Sequence, residues 1–141
     1  MRAIAFNGGK ESLVVLHKYY QKGDIIFRIK DDNDFPEINE YVNKCIPNDA
    51  TYIELSSIKQ LELTGYDIEI VILGVRRSDP GCENMEIYQK TDPGWPKMIR
   101  YSPLLDWSYK DVWDYIDFYN LPVCKLYEIG YTSIGNKKYF S

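Results

Sequence analysis

Seven residues near the start of the chain, Phe6-Asn7-Gly8-Gly9-Lys10-Glu11-Ser12, set two adjacent glycines beside a cation, a carboxylate and a hydroxyl. Paired glycines let a backbone turn tightly and come close to a ligand. If such a turn leads from a strand into a helix, the free amides and the dipole of the helix start favour an anion there. Lys10 and the Ser12 hydroxyl would add donors. Taken alone, the run is equally a βα turn that happens to use Gly-Gly. Its spacing is neither that of Walker A, which has four residues between its first glycine and Gly-Lys, nor G-x-G-x-x-G.

A second run, Gly74-Val75-Arg76-Arg77-Ser78-Asp79-Pro80, follows an apolar stretch. Two guanidiniums suit phosphate, and a carboxylate suits a metal ion or its waters, so this loop fits a nucleotide with magnesium. The bland alternative is an exposed, salt-bridged loop. Two further stretches, Lys90–Pro96 with Arg100 and Leu104–Trp107 leading to Leu121–Tyr127 and Gly130–Gly135, read by themselves as turns and aromatic core.

The first half of the chain has the elements to position these runs. Ala3–Phe6 is a short apolar strand, and residues 11–22 carry Leu13, Leu16, His17 and Tyr20 at helical spacing. Ile25–Ile29 reads as a second strand. Asp34 and Glu37 have capping-box spacing, and Phe35, Ile38, Val42 and Cys45 continue one helical face. Thr51–Leu55 is a third strand, Ser57–Leu63 a short helix and Ile68–Val75 a fourth strand. This alternation predicts an α/β fold, a mostly parallel open sheet of four or five strands with helices on both faces. Ligands bind beyond the carboxyl ends of such strands, so the two loops should share that edge. Residues 80–103 hold four prolines and no sustained period, and read as a long ordered loop. Ser108 and Asp111 cap a helix over Tyr109–Tyr119, with a buried stripe of Val112, Trp113, Ile116 and Tyr119 or Asn120.

With 141 residues, 45% hydrophobic and 27% charged, the chain predicts one domain over 1–141. A net charge of −4 excludes a module that binds nucleic acid by blanket phosphate neutralisation. Three cysteines without a C-x-x-C, one histidine and no basic leader or long apolar run predict a reduced cytoplasmic protein without membrane or disulfide scaffold.

In this order the motifs resemble those of the eukaryotic-type FAD synthetases. These are FMN adenylyltransferases of the PAPS reductase-like adenine nucleotide α-hydrolase superfamily, a Rossmann-like fold. FNGGKES is similar to their phosphate loop, DFPEINEYV to the segment after their second strand, and GVRRSDP to their G-x-R-R-x-D-P loop. TDPGWPKMIRYSPLLDWSYKDVW and LPVCKLYEIGYTSIG resemble the stretches that separate them from PAPS reductases. The match covers about residues 3–135.

The resemblance implies transfer of AMP from ATP to FMN, giving FAD and pyrophosphate with Mg²⁺. Phe6, Asn7, Gly8, Gly9, Lys10 and Ser12 would cradle the triphosphate, with Asn7 and Asp79 toward the metal. Gly74, Arg76 and Arg77 would face the pyrophosphate, and the adenine would sit near Ile29. Asn7, Glu11, Arg77 and Asp79 would form the catalytic set. Asp92, Trp95 and Arg100 would hold the flavin. The family has Asp where this chain has Glu11. Its members also continue beyond the last motif with arginines, where Asn136–Ser141 offers Lys137 and Lys138.

Two other readings share the phosphate loop. A PAPS or adenylyl-sulfate reductase would need a reactive thiolate, and this sequence has no late ECGxH-like element. A catalytically weak nucleotide-binding module would fit Glu11 and the short tail. His17, Cys45, Cys124 and the tyrosines at 115, 119, 127 and 131 read as packed side chains, and the acidic residues of 31–40 as a solvated helix start.

Overall fold

Ile4, Ile26 and Ile72 lie side by side on three neighbouring parallel strands, fully buried. The strands are β1 (Arg2–Ala5), β2 (Ile25–Ile29) and β4 (Ile70–Ile72). The structure, a computed structural model, describes residues 1–127; the Gly130–Gly135 motif, Lys137 and Lys138 lie outside them. With β3 (Thr51–Leu55), β5 (Tyr88–Lys90) and β6 (Ile99–Tyr101), the strands form one six-stranded sheet of order β3-β2-β1-β4-β6-β5. All pairs are parallel except the edge pair β5–β6.

The chain steps outward from β1 to β2 to β3, through α1 (Lys10–Tyr19) and α2 (Pro36–Cys45). Right-handed crossovers taken in one direction place both helices on one face. That face packs Ile4, Phe6, Ile26 and Ile72 against Val14 and Val15 of α1, Ile38 and Val42 of α2, and Val112 and Ile116 of α3 (Tyr109–Tyr119). The chain then returns across the sheet to β4, so the β3–β4 connection covers the other face. There Ala3, Ile25, Phe27 and Val71 meet Leu61, from a 3₁₀ helix over Ile58–Thr64, and Met98. Helices therefore lie on both faces, but all three α-helices are on one. The order reverses between β1 and β4, which opens a crevice at the carboxyl edge.

Several expectations need correction. Residues 80–103 are not loop throughout, because β5 and β6 pair there and β6 extends the parallel sheet beside β4. The sheet therefore has six strands. Asp34 does not cap α2, whose N-cap is Phe35 with no side-chain bond. Its carboxylate instead pairs with the guanidinium of Arg28 at 3.0 Å, a buried charge that needs a partner more than a helix end does. On α3 only Val112 and Ile116 are buried; Tyr119 is half exposed and Asn120 is the left-handed C-cap. His17 is exposed rather than packed in the core, with Nδ1 2.7 Å from the Tyr115 hydroxyl. The Ser108–Asp111 capping box is present as expected. Among the described residues no helix is long and apolar enough to cross a membrane.

Ile26 is fully buried between Ile4 and Tyr52 in the sheet register. Ile26→Ala should cost about 2–5 kcal/mol. The reading is a lower urea midpoint with unchanged slope; an unchanged midpoint would mean that this helix-covered face does not carry the stability.

Candidate active site

β1 ends at Ala5 and α1 starts at Lys10, so the turn between them must reverse within four residues. Gly8 makes this possible with φ +84°, and a Cβ there would press on Val42 Cγ2 at 3.1 Å and Ile38 Cγ2 at 3.2 Å. The side-chain carbonyl of Asn7 accepts from the Gly9 amide at 2.8 Å and from the Ser12 hydroxyl at 2.9 Å. These bonds tie the loop to the first turn of α1. Gly9 is the N-cap and has no side chain to offer.

Lys10 is almost completely buried, at 1% exposure. Its Nζ lies 3.0 Å from Glu11 Oε1, and 5.2 and 5.7 Å from the ring centres of Tyr109 and Tyr127. The same Glu11 oxygen takes Arg76 Nε at 3.2 Å. Two cations thus share one carboxylate beside the start of a helix, where the helix dipole already favours an anion.

The second loop follows β4. At Gly74 it approaches α1 so closely that a Cβ would come within 3.0 Å of both Glu11 C and Ser12 N. The Arg76 amide donates to Asp79 Oδ2 at 2.9 Å, and the Asp79 amide donates to the Arg76 carbonyl at 2.9 Å. This turn holds the Asp79 carboxylate on the wall of a cleft of about 450 Å³. Phe6, Asn7, Gly9, Glu11 and Ser12 line it from the first loop, and Gly74, Val75 and Asp79 from the second. The two loops share one edge of the sheet, as the strand alternation requires.

Ile29 lines the cleft at the end of β2. The Phe6 amide donates to the Phe27 carbonyl, and the Lys30 amide to the Leu55 carbonyl. Strand alternation therefore aims the Ile29 N–H and C=O toward β1, whose chain has already turned away at Asn7. Arg77 is committed elsewhere. Its Nε donates to Asp106 Oδ1 at 2.8 Å and its guanidinium to the Glu83 and Met85 carbonyls, at 3.1 and 2.9 Å.

Asp92, Trp95 and Arg100 are not among the residues lining the cleft. The turn over residues 91–98 joins the end of β5 to the start of β6, so it lies at the amino edge of the parallel strands, opposite the phosphate loop. Arg100 Nη2 is 3.7 Å from Asp92 Oδ1, its Nε is buried without a partner, and Trp95 is half exposed.

Arg28, Asp31 and Asp34 line the cleft, although sequence reasoning passed over Arg28 and read the two aspartates as part of a solvated helix start. A charged residue inside the apolar run Ile25–Ile29 was the available signal, because a buried guanidinium must find a carboxylate. Arg28, 2% exposed, pairs with Asp34. Burial pushes the thiols of Cys45, Cys82 and Cys124 up, away from the reactive thiolate form.

Among the described residues no group of three or more His, Cys, Asp or Glu side chains could hold a metal ion by itself. Asp79, whose Oδ2 takes the Arg76 amide, and the side-chain carbonyl of Asn7 both line the cleft. Such oxygen donors suit magnesium, which is held by one or two carboxylates together with substrate phosphates.

Residues 49–139 match the family described as the phosphoadenosine phosphosulfate reductase domain. The chain is 32% identical over 154 residues to the protein named "Probable FAD synthase" of Schizosaccharomyces pombe, covering 94% of this chain and 58% of that protein. It superimposes on the FMN adenylyltransferase of Candida glabrata with a TM-score of 0.83 at 25% identity, over 96% of this chain and 53% of that one. The same Candida glabrata enzyme in complex with FMN and the ATP analogue AMPCPP gives a TM-score of 0.81. The chain thus spans between half and three fifths of the length of these proteins.

Proposed function

The chain belongs to the phosphoadenosine phosphosulfate reductase domain family, and from its likeness to FAD synthase and FMN adenylyltransferase we propose that it transfers the adenylyl group of ATP to FMN, giving FAD and pyrophosphate. The observation that carries this reading is the meeting of the Phe6–Ser12 and Gly74–Asp79 loops on one cleft, joined by the Lys10–Glu11–Arg76 ion cluster. The similarity to FAD synthase over nearly the whole chain, with Cys82 and Cys124 buried and all three thiols pushed up, supports adenylyl transfer rather than reduction of a sulfonucleotide.

In this reading adenine rests at the end of β2, where the backbone of Ile29 reads its edge. The triphosphate lies over the start of α1, and Lys10 and Arg76 balance its charge. An FMN phosphate oxygen bonds to the α-phosphorus as the bond to the β-phosphate oxygen breaks, and pyrophosphate leaves. Such a reaction needs alignment and charge neutralisation more than covalent help from the protein. Magnesium bound with the triphosphate would neutralise phosphate charge. Asp79 would hold it; Asn7, whose oxygen is bonded twice within the loop, would exchange one of those bonds to join. Arg77 acts by securing the second loop to Asp106. For the flavin, Asp92, Trp95 and Arg100 remain the proposed residues. The three residues of β4 rise about 10 Å, so FMN would run along the strands from the far turn to the cleft.

The test is release of pyrophosphate from ATP with and without FMN, together with detection of FAD. Release should require FMN and stop in EDTA. Asp79→Asn keeps an oxygen to accept the Arg76 amide but loses the charge, and should lower turnover by about a hundredfold. FMN-independent ATP cleavage, or full activity in EDTA, would overturn the proposal.

A further inference from the structure

We infer that Tyr127 is a positioning residue for the phosphate loop, acting through the backbone amide of Lys10; this rests on the nucleotide-binding part of the reading above. A helix start leaves its first amides without intrahelical partners, and a side chain at the N-cap usually satisfies one of them. α1 has only Gly9 at that place. The missing acceptor comes from 117 residues away: the Lys10 amide donates to the Tyr127 hydroxyl at 2.7 Å.

The amides of the loop are thereby divided. Gly9 N–H is taken by Asn7, Lys10 N–H by Tyr127, and Leu13 N–H opens the helix ladder on the Gly9 carbonyl. Glu11 and Ser12, which line the cleft, supply the amides left for an anion. The phenol is itself held in place. Trp113 packs edge-on against its ring at 5.3 Å, and the Tyr127 amide donates to the carbonyl of fully buried Cys124.

The chemistry of a phenol suits this position. An aspartate, the common N-cap, would bring a negative charge next to the phosphates. Burial pushes the Tyr127 hydroxyl up, so it remains protonated and accepts the Lys10 amide without opposing an anionic ligand. Tyr127 therefore holds the loop in its binding shape before ATP arrives, and a preorganised loop saves the ordering cost that a loose one would incur on binding.

Tyr127→Phe deletes the hydroxyl and keeps the ring against Trp113 and Lys10. Titration calorimetry with AMPCPP should show Kd raised roughly tenfold, the effect of one lost hydrogen bond with its amide left unpaired. Adenosine, which does not reach the loop, should bind as before. In turnover, KM for ATP should rise with Kd, whereas kcat and KM for FMN stay within about twofold. If Tyr127 only supports the fold, the melting temperature falls but the ratio of AMPCPP to adenosine affinity is unchanged, and the inference is overturned. Wild-type protein that binds AMPCPP but forms no FAD would end the adenylyl-transfer proposal and leave this one standing. Wild-type protein that binds no AMPCPP overturns both. Should Tyr127→Phe fail to fold, hydrogen exchange at the wild-type Lys10 amide decides: protection supports the bond, and exchange at the rate of an open amide refutes it.

Discussion

Glu11→Gln should lower FAD formation by a hundredfold or more, on the scale of about 1.4 kcal/mol per decade, and should destabilise the protein by about 3 kcal/mol. Glutamine has nearly the shape of glutamate, so the change removes charge and little else. Glu11 is the carboxylate shared by Lys10 Nζ at 3.0 Å and Arg76 Nε at 3.2 Å, with their side chains only 1% and 12% exposed. Water can do little to replace the lost anion at such depth, and Lys10 and Arg76 lose the carboxylate that joins them. Arg76 would then withdraw from α1 and carry the second loop with it. Glu11→Asp restores the charge, but its shorter side chain cannot keep one oxygen against both cations, so stability should recover further than turnover. Two assays decide: a thermal melt of each variant, and its initial rate of FAD formation. A Glu11→Gln protein with the stability and turnover of wild type would remove Glu11 from the site.

The second large effect belongs to Gly74→Ala, expected to cut kcat/KM for ATP by about a hundredfold, because displacement of a positioned group by about 1 Å has that cost. A Cβ at residue 74 would stand 3.0 Å from Glu11 C and Ser12 N, and both are backbone atoms. A crowded side chain can rotate aside, but the first turn of a helix can yield only by moving. The helix start and the Gly74–Asp79 loop would be wedged apart, and the amides, the ion cluster and Asp79 would lose their registration. Val14, Val15 and Leu16 hold α1 to the sheet further along, so the melting temperature should fall only modestly. Steady-state kinetics beside a melt separates the two effects. Wild-type kcat/KM would show that the loops have slack and that their spacing does not govern catalysis.

These effects differ in how far the sequence announced them. The glycines of the phosphate loop, the carboxylate of Asp79 and the alternation that brings both loops to one edge were legible, because strands and helices of this length leave characteristic periods and the parallel connection has a fixed hand. Ile25–Ile29, Thr51–Leu55 and Tyr109–Tyr119 stand where local pattern put them. β5 and β6 were not visible, since each has three residues and takes its pairing from a neighbour rather than from a period of its own. Asp34 misled for a related reason. Its spacing to Glu37 looks like a cap, whereas the buried Arg28 beside it in space made the stronger demand.

Sequence alone therefore determined the fold class, the family resemblance and the two loops that face the cleft, all of which rest on residues close together in the chain. Only the tertiary structure decided how those residues are used. It assigned Arg76 to Glu11 and Arg77 to Asp106, although the two arginines are adjacent and chemically identical. It set the Asp92–Pro96 turn at the far end of the strands and brought Tyr127 to the Lys10 amide. The reason is physical. Local propensity and periodicity depend on neighbours in sequence, whereas the partner of a buried charge or amide is whichever group the packed sheet and helices bring within about 3 Å.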